Sequence, residues 1–374
     1  MKFRIVANLN YGLLVLVALL LHACGEKTEQ FYTLEDYDKI PKIDTHIHVT
    51  ASRNLFEEIS KEHNFRLLNI VVAGSRTREA VKQEYDIRAA KKEQYPALYE
   101  VATAFSVKEW DSLHWAAKTI DRLQEDIDNG AVAVKVWKNI GMQLRDSTGR
   151  LIMVDDPKLD TIFNYLTQKG IPVIGHLGEP KNCWLPLDKM TVANDSVYYS
   201  EHPKYHMFNF PELPPYEEQI AARDRRLERN PELVFIGAHM ASLEWSVDEL
   251  AERFDRFPNL SVDIAARIGQ IFFQTIEDRE KVREFFIKYQ DRIMYGSDLG
   301  DSGKTSEADL RMLIQETWLL DWEFFATDHE LQNFRVKESF KGLKLPREVM
   351  DKIYYKNAQN WFKAFDGKEM ALSK

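Results

Sequence analysis

The stretch Lys42-Ile43-Asp44-Thr45-His46-Ile47-His48-Val49 decides how this 374-residue chain is read. Side chains of a strand alternate faces with period two, so Asp44, His46 and His48 are expected on one face. Ile43, Ile47 and Val49 then point the other way and suit packing beneath helices. Two imidazoles two residues apart on one face reach a single metal ion. The bland reading is a pair of core histidines, whose ring nitrogens would each need a hydrogen-bond partner. Three later strand-like segments, each ending in a ligand-type residue, favour the metal.

Working outward, seven more short apolar runs share the β-branched character of the first: Phe65–Gly74, Leu98–Ser106, Ala131–Trp137, Ile171–Glu179, Leu233–Ala241, Leu260–Ala266 and Arg292–Asp298. Helix-length amphipathic stretches separate them, among them Thr77–Glu93, Trp115–Asn129, Asp156–Lys169, Tyr216–Arg229, Leu243–Phe257 and Arg279–Tyr289. Strand then helix, eight times over, predicts an α/β fold with a parallel sheet closed into a (β/α)8 TIM barrel. The competing open, doubly wound sheet would place a Gly-rich phosphate turn after its first strand, and none follows Val49.

A barrel of this kind carries its site where the strands end. In the fourth run Val132, Val134 and Val136 suit the helix-facing side, which leaves Ala133, Lys135 and Trp137 aimed inward. The fifth run ends in His176 and Glu179, the sixth in His239, the seventh carries Asp263 and the eighth ends in Asp298. Four histidines, two aspartates and a lysine around one mouth are hard to explain by packing and read as a metal site.

Composition narrows the partners. A net charge of −9 and a pI near 5.7 argue against nucleic acid. Eight Trp and 12% aromatic residues supply a large core. With two cysteines, Cys24 and Cys183, there is no disulfide framework, and Cys183 reads as an incidental loop thiol. Lys2 and Arg4 precede an apolar segment, Tyr11–Leu21, that is short for a membrane span. The following Leu21-His22-Ala23-Cys24 resembles a bacterial lipoprotein box in which Cys24 is lipidated. An ordinary cleaved signal peptide and a retained anchor are the alternatives. The expected organisation is a signal peptide over 1–24, a polar linker over 25–39, a single barrel domain over 40–365 and a tail over 366–374. Such a chain is expected to be exported, to sit at a membrane through its lipid as a periplasmic or cell-surface protein, and to act on a small molecule, with a homodimer as a further expectation.

The His46-x-His48 pair, His176, His239 and Asp298, each at a strand end and in this order, resemble the amidohydrolase superfamily. The Asp44-Thr45-His46-Ile47-His48 opening and the Tyr295-Gly296-Ser297-Asp298 ending are similar to its amidohydrolase-related branch, which holds metal-dependent decarboxylases and lactonases. The resemblance spans Ile40 to about Phe365. It implies one divalent ion, zinc first and manganese as the alternative, held by His46, His48, His176 and Asp298. It further implies that Asp298 takes a proton from activated water and that His239 is a general acid/base or polarises a substrate oxygen. Imidazoles and one carboxylate leave an ion enough charge to lower the pKa of water toward ~7, and a histidine supplies a nearby base unaided. Lys135 departs from the one-metal pattern. It is read first as a cation for a substrate carboxylate, with a carbamate bridging two metals or a structural ion-pair partner as alternatives.

Substrate recognition is expected from the long loop Pro180–Pro215, rich in aromatics including Trp184, together with Trp137, Glu179 and Arg267; Lys138 and Glu244 are weaker candidates. Covering the barrel rim is the competing role for those loop aromatics. His63, His114 and His329 read as structural or solvated. The apolar segment Trp318–Phe325 reads as an insertion packed on the barrel and Pro346–Phe362 as a closing helix, together a C-terminal helical extension. The resemblance admits both hydrolysis and decarboxylation, and the expected location outside the cytoplasm favours hydrolysis of a small cyclic ester or amide, lactone-like, or of a carboxylated substrate. Non-oxidative decarboxylation of an aromatic or unsaturated acid is the alternative, and a non-catalytic binding lipoprotein the second.

Overall fold

The computed structural model describes residues 30–366; the expected signal peptide, Cys24 and nearly all of the tail lie outside the described residues. One sheet holds nine strands: β1 Lys42–Val49, β2 Phe65–Ile70, β3 Tyr99–Ala104, β4 Ala131–Val136, β5 Val173–Gly175, β6 Phe235–Gly237, β7 Leu260–Asp263, β8 Ile293–Met294 and β9 Leu299–Asp301. All pair in parallel with their neighbours in sequence, except that β9 pairs with β1. Strands β8 and β9 are two halves of one eighth strand, broken at Tyr295–Asp298, so that the first half pairs with β7 and the second with β1. Across the break the Thr45 N–H donates to the Tyr295 carbonyl at 3.0 Å and the Asp298 N–H to the His46 carbonyl at 2.8 Å. The sheet therefore closes into the expected (β/α)8 barrel.

Helices Leu55–Glu62, Arg78–Gln94, Trp115–Asp128, Asp160–Lys169, Tyr216–Arg229, Val247–Arg256, Ile268–Lys288 and Glu307–Ala326 follow the eight strands in turn. Their starts are set locally: Thr77, Ser246 and Ser306 each accept a first-turn backbone N–H through the side-chain oxygen. The helix-facing residues Ile47, Val49, Val134 and Val136 join the large outer core. A second cluster gathers Ala133, Ile174, Ile236 and Met294 from the strands with Phe362 and Phe365 from the end of the chain, which closes the barrel at the end away from the site.

Four expectations need correction. Strict alternation fails in β1, where the pairing with β2 shifts register between Asp44 and Ile47. Ile43 joins the inner cluster, while Asp44 turns outward to accept the indole N–H of Trp318 at 3.0 Å. Only His46 and His48 keep the inward face. The described part of the expected linker packs onto the barrel domain: the Tyr32 hydroxyl donates to Asp351 at 2.7 Å and the Trp322 indole N–H to the Thr33 carbonyl at 3.0 Å. The segment Trp318–Phe325 is no insertion but part of the eighth barrel helix, its apolar density set by burial against β1, β2 and the N-terminal segment. The loop 180–215 is not structureless either; it contains the helix Ala193–Glu201 and several 3-10 turns. The closing segment does form, as helices Arg347–Asp351 and Asn357–Trp361 joined by a π-turn.

Candidate metal centre

His46 and His48 leave β1 on the barrel's inner side with ring centroids 5.2 Å apart. Each ring is anchored through Nδ1. That of His48 faces the Ile70 carbonyl at 2.9 Å and that of His46 the Asp263 carboxylate at 2.9 Å. At the end of β6, His239 repeats the arrangement, its Nδ1 being 2.9 Å from the Ala265 carbonyl. A carbonyl or carboxylate oxygen only accepts, so Nδ1 carries the proton in all three rings and Nε2 keeps its lone pair. The Asp298 carboxylate, from the break between β8 and β9, lies 3.2 Å from Nε2 of His48 and 3.6 Å from Nε2 of His46. His176, after β5, stacks edge-on against His239 at 4.2 Å between centroids, and its Nε2 is buried with no hydrogen-bond partner.

This donor set fits a divalent ion. His46, His48 and Asp298 offer ligand atoms that all lie within 4.8 Å of one another. The orphaned Nε2 of His176 is the kind of buried polar atom that an ion would satisfy. A second grouping, His46 with His239 and Asp263, is less apt. Asp263 already spends one oxygen on the His46 ring and the other on the backbone N–H groups of His239 at 2.8 Å and Ala265 at 3.2 Å. It orients ligands.

Electrostatics favour the neutral forms of His46, His176 and His239. Burial lowers the pKa of His46, with the nearby Lys135 adding to the effect. Burial likewise holds His176 and His239 well below the ordinary histidine value. Burial pushes the Asp298 carboxyl up, but the hydrogen bond that His48 gives whenever its Nε2 is protonated, with the charge of the neighbouring imidazoles in that form, holds it well below the usual range. Asp263, against its burial, is held at about 2 by His46. Neutral rings and ionised carboxylates are the protonation states that bind a metal. Lys135 points inward as expected. Its Nζ lies 3.2 Å from Nε2 of His46, and burial brings its pKa down to about 8.

Beside the cluster opens a cleft of about 220 Å³, lined by Trp137, Lys138, Glu179, Tyr198, Tyr205 and Phe210 among others. Glu179 pairs with Lys138. The Arg267 guanidinium is buried near Glu244, Asp195 and Tyr199, and its Nε has no partner. Trp184 packs behind the cleft wall formed by Met142 and Met207; its indole N–H donates to the Pro214 carbonyl at 3.2 Å and its ring packs edge-on against Tyr216. These contacts tie down the loop. Lone Cys183 is buried with its thiol on the Tyr205 carbonyl at 3.0 Å. His63 and His329 pair with Asp38 and Glu323, away from the cluster.

Two features were not legible in the chain. One is the orienting role of Asp263. The other is a left-handed turn: His239, Met240, Ala241 and Ser242 have φ of 58°, 57°, 56° and 57°. Non-glycine residues there cost roughly 1–2 kcal/mol each. Buried donors hold the turn: Arg223 donates to the Ala241 carbonyl, Tyr216 to the Ser242 carbonyl, and Ser242 Oγ to the Gly178 carbonyl. The small residues Gly237 and Ala238 before the turn are its only trace in the sequence.

The sequence profile of the amidohydrolase family matches residues 43–364. No curated protein sequence matches the chain. Among solved structures, the chain is similar in fold to 2,6-dihydroxybenzoate decarboxylase from Rhizobium at 14% identity, covering 86% of this chain and 98% of that one with a TM-score of 0.51. It is also similar to a putative amidohydrolase from Staphylococcus aureus at 14% identity, covering 87% and 100% with a TM-score of 0.51. A TIM-barrel protein from Bordetella bronchiseptica aligns at 15% identity over 87% and 99%, with a TM-score of 0.50.

Proposed function

The chain belongs to the amidohydrolase family, and from that premise we propose that it is a metal-dependent hydrolase of a small cyclic ester or amide, lactone-like. The observation that carries this reading is the convergence of His46, His48 and Asp298 at the barrel mouth, with the unpartnered Nε2 of His176 on a ring packed against His239, which itself packs against His46. His46, His48, His176 and Asp298 would hold one ion, zinc in the first instance. Bound there, the ion would supply Lewis acidity and lower the pKa of water toward ~7.

The residues divide the remaining work. Asp298, ionised and partly exposed at the mouth, accepts the proton of the attacking water. His239 is unprotonated at Nε2, so it receives a proton first and returns it to the leaving oxygen or nitrogen. Asp263 fixes the His46 ring. Arg267, with an unpartnered Nε, binds a substrate carboxylate or carbonyl, and Lys138 with Glu179 lines the way in. Lys135 acts as a cation toward substrate. Lipidation at Cys24 would hold the enzyme at a membrane outside the cytoplasm, where releasing a soluble acid from a scavenged compound is a natural task.

A second reading, decarboxylation of an aromatic acid, is favoured by one observation: the cleft walls Trp137, Tyr198, Tyr205 and Phe210 suit a flat ring. The experiment is a panel of lactones, cyclic amides and hydroxybenzoates with the zinc-loaded protein, following acid release and carbon dioxide separately. Acid without carbon dioxide is the expected outcome. Carbon dioxide from a hydroxybenzoate would replace hydrolysis with decarboxylation, and no turnover with full metal occupancy would favour a binding protein.

A further inference from the structure

We propose that Asp44 is a positioning residue that sets the spacing of His46 and Asp298 by clamping their backbones with one buried carboxylate; this rests on the reading of those two residues as ligands of one ion. Asp44 is fully buried and outside the barrel's inner face, so it touches neither ion nor substrate. Its Oδ1 accepts the backbone N–H of His46 at 3.1 Å and that of Ser297 at 3.0 Å. Its Oδ2 accepts the Ser297 hydroxyl and the Trp318 indole N–H, the latter at 3.0 Å. The Ser297 hydroxyl oxygen in turn accepts the Leu299 N–H at 3.2 Å.

These contacts bracket Asp298 on both sides. Asp298 itself lies in the left-handed region at φ 66°, a conformation that persists only when its surroundings over-determine it. Its own N–H donates to the His46 carbonyl at 2.8 Å. His46 is thus held at its N–H by Asp44 and at its carbonyl by Asp298. This is the seam where the barrel closes and where the eighth strand is interrupted between Met294 and Leu299. Across the break the main chain supplies two bonds, from Thr45 N–H to the Tyr295 carbonyl and from Asp298 N–H to the His46 carbonyl. The register shift in β1 that turns Asp44 outward adds a carboxylate that ties His46 to Ser297 beside them. A buried carboxylate is costly unless its hydrogen bonds are met, and here four donors meet them.

The test compares wild-type protein with Asp44→Ala, Asp44→Asn and the double variant Asp44→Asn/Trp318→Phe. Zinc affinity is read by competition with a chromophoric chelator, ligand geometry by the visible absorption of the cobalt-loaded protein, and folding by the melting temperature of the metal-free protein. Asn keeps an oxygen for the two backbone N–H groups but sets its NH₂ against the Trp318 N–H, a conflict that phenylalanine removes. Asp44→Ala is expected to weaken zinc binding roughly 10–100-fold and to change the cobalt spectrum. The double variant is expected to return both toward wild type, which loss of general stability would not do. Wild-type affinity and spectrum in Asp44→Ala would overturn the proposal. If that variant does not fold, Ser297→Ala decides: a shifted cobalt spectrum supports the clamp and an unchanged one overturns it. His48→Ala separates the two readings. If wild type binds and His48→Ala does not, the metal site stands and the Asp44 variants speak for the clamp alone; a wild type that takes up neither ion ends both.

Discussion

The Asp263 carboxylate accepts the Nδ1–H of His46 at 2.9 Å and thereby turns Nε2 of that ring toward Asp298. The same carboxylate holds the backbone N–H of His239 at 2.8 Å, so one side chain of β7 aims residues from β1 and β6. Replacing Asp263 by Asn sets an NH₂ against Nδ1–H. The ring then favours the other tautomer, with its proton on the nitrogen that should bind metal. Asp263→Asn is expected to lose roughly 10–100-fold in zinc affinity, measured by chelator competition.

Chelation should abolish turnover and added zinc or manganese should restore it. The ion should also stabilise the fold by about 2.7 kcal/mol when free metal stands at 100 times Kd, seen as a rise in melting temperature. His48→Ala and His176→Ala should remove that rise.

Asp298→Asn removes the proposed proton acceptor while keeping its size. A fall in kcat of roughly 10²–10⁴ is expected on any substrate found by the panel. Undiminished kcat would refute the assigned role.

Glu244 provides a pH signature in stability. It is fully buried, one oxygen accepting the Lys181 N–H at 2.9 Å and the other lacking a partner. Burial raises its pKa from 4.5 to about 7, against the pull of Arg267. Because the folded-state value is the higher, its contribution is fully present below the unfolded pKa of 4.5 and is lost as pH rises through about 7. Glu244→Gln should remove this dependence, gaining on wild type by up to about 3 kcal/mol between pH 4.5 and 8, as read by urea unfolding across that range.

Gly237→Ala tests the left-handed turn. An added Cβ would overlap the Cβ of Ala241 inside the turn, with Arg223 holding the Ala241 carbonyl in place. A loss of about 1–3 kcal/mol is expected, with weakened activity because His239 is displaced. Equal stability by urea unfolding would show the turn to be pliable.

Much of the fold was legible because it is local. Eight β-branched runs separated by amphipathic stretches fall where the strands and helices lie, and alternation in β4 correctly separates Ala133 and Lys135 from Val134 and Val136. Alternation misled at Asp44, since a register shift is a property of how β1 pairs with β2 and no period within β1 records it. The segment Trp318–Phe325 misled for a related reason: an apolar run shows that it is buried, not against what.

The sequence alone determined the strand–helix rhythm, the His-x-His spacing and the chemistry-bearing residues at the strand ends, because each depends on neighbours along the chain. Only the tertiary structure decided which imidazole nitrogen faces the centre, that the Asp263 and Asp44 carboxylates reach across to residues of other strands, and that the Trp184 indole bonds within its own loop. Those are contacts between residues up to 274 positions apart, set by barrel closure, and closure is a property of the whole chain.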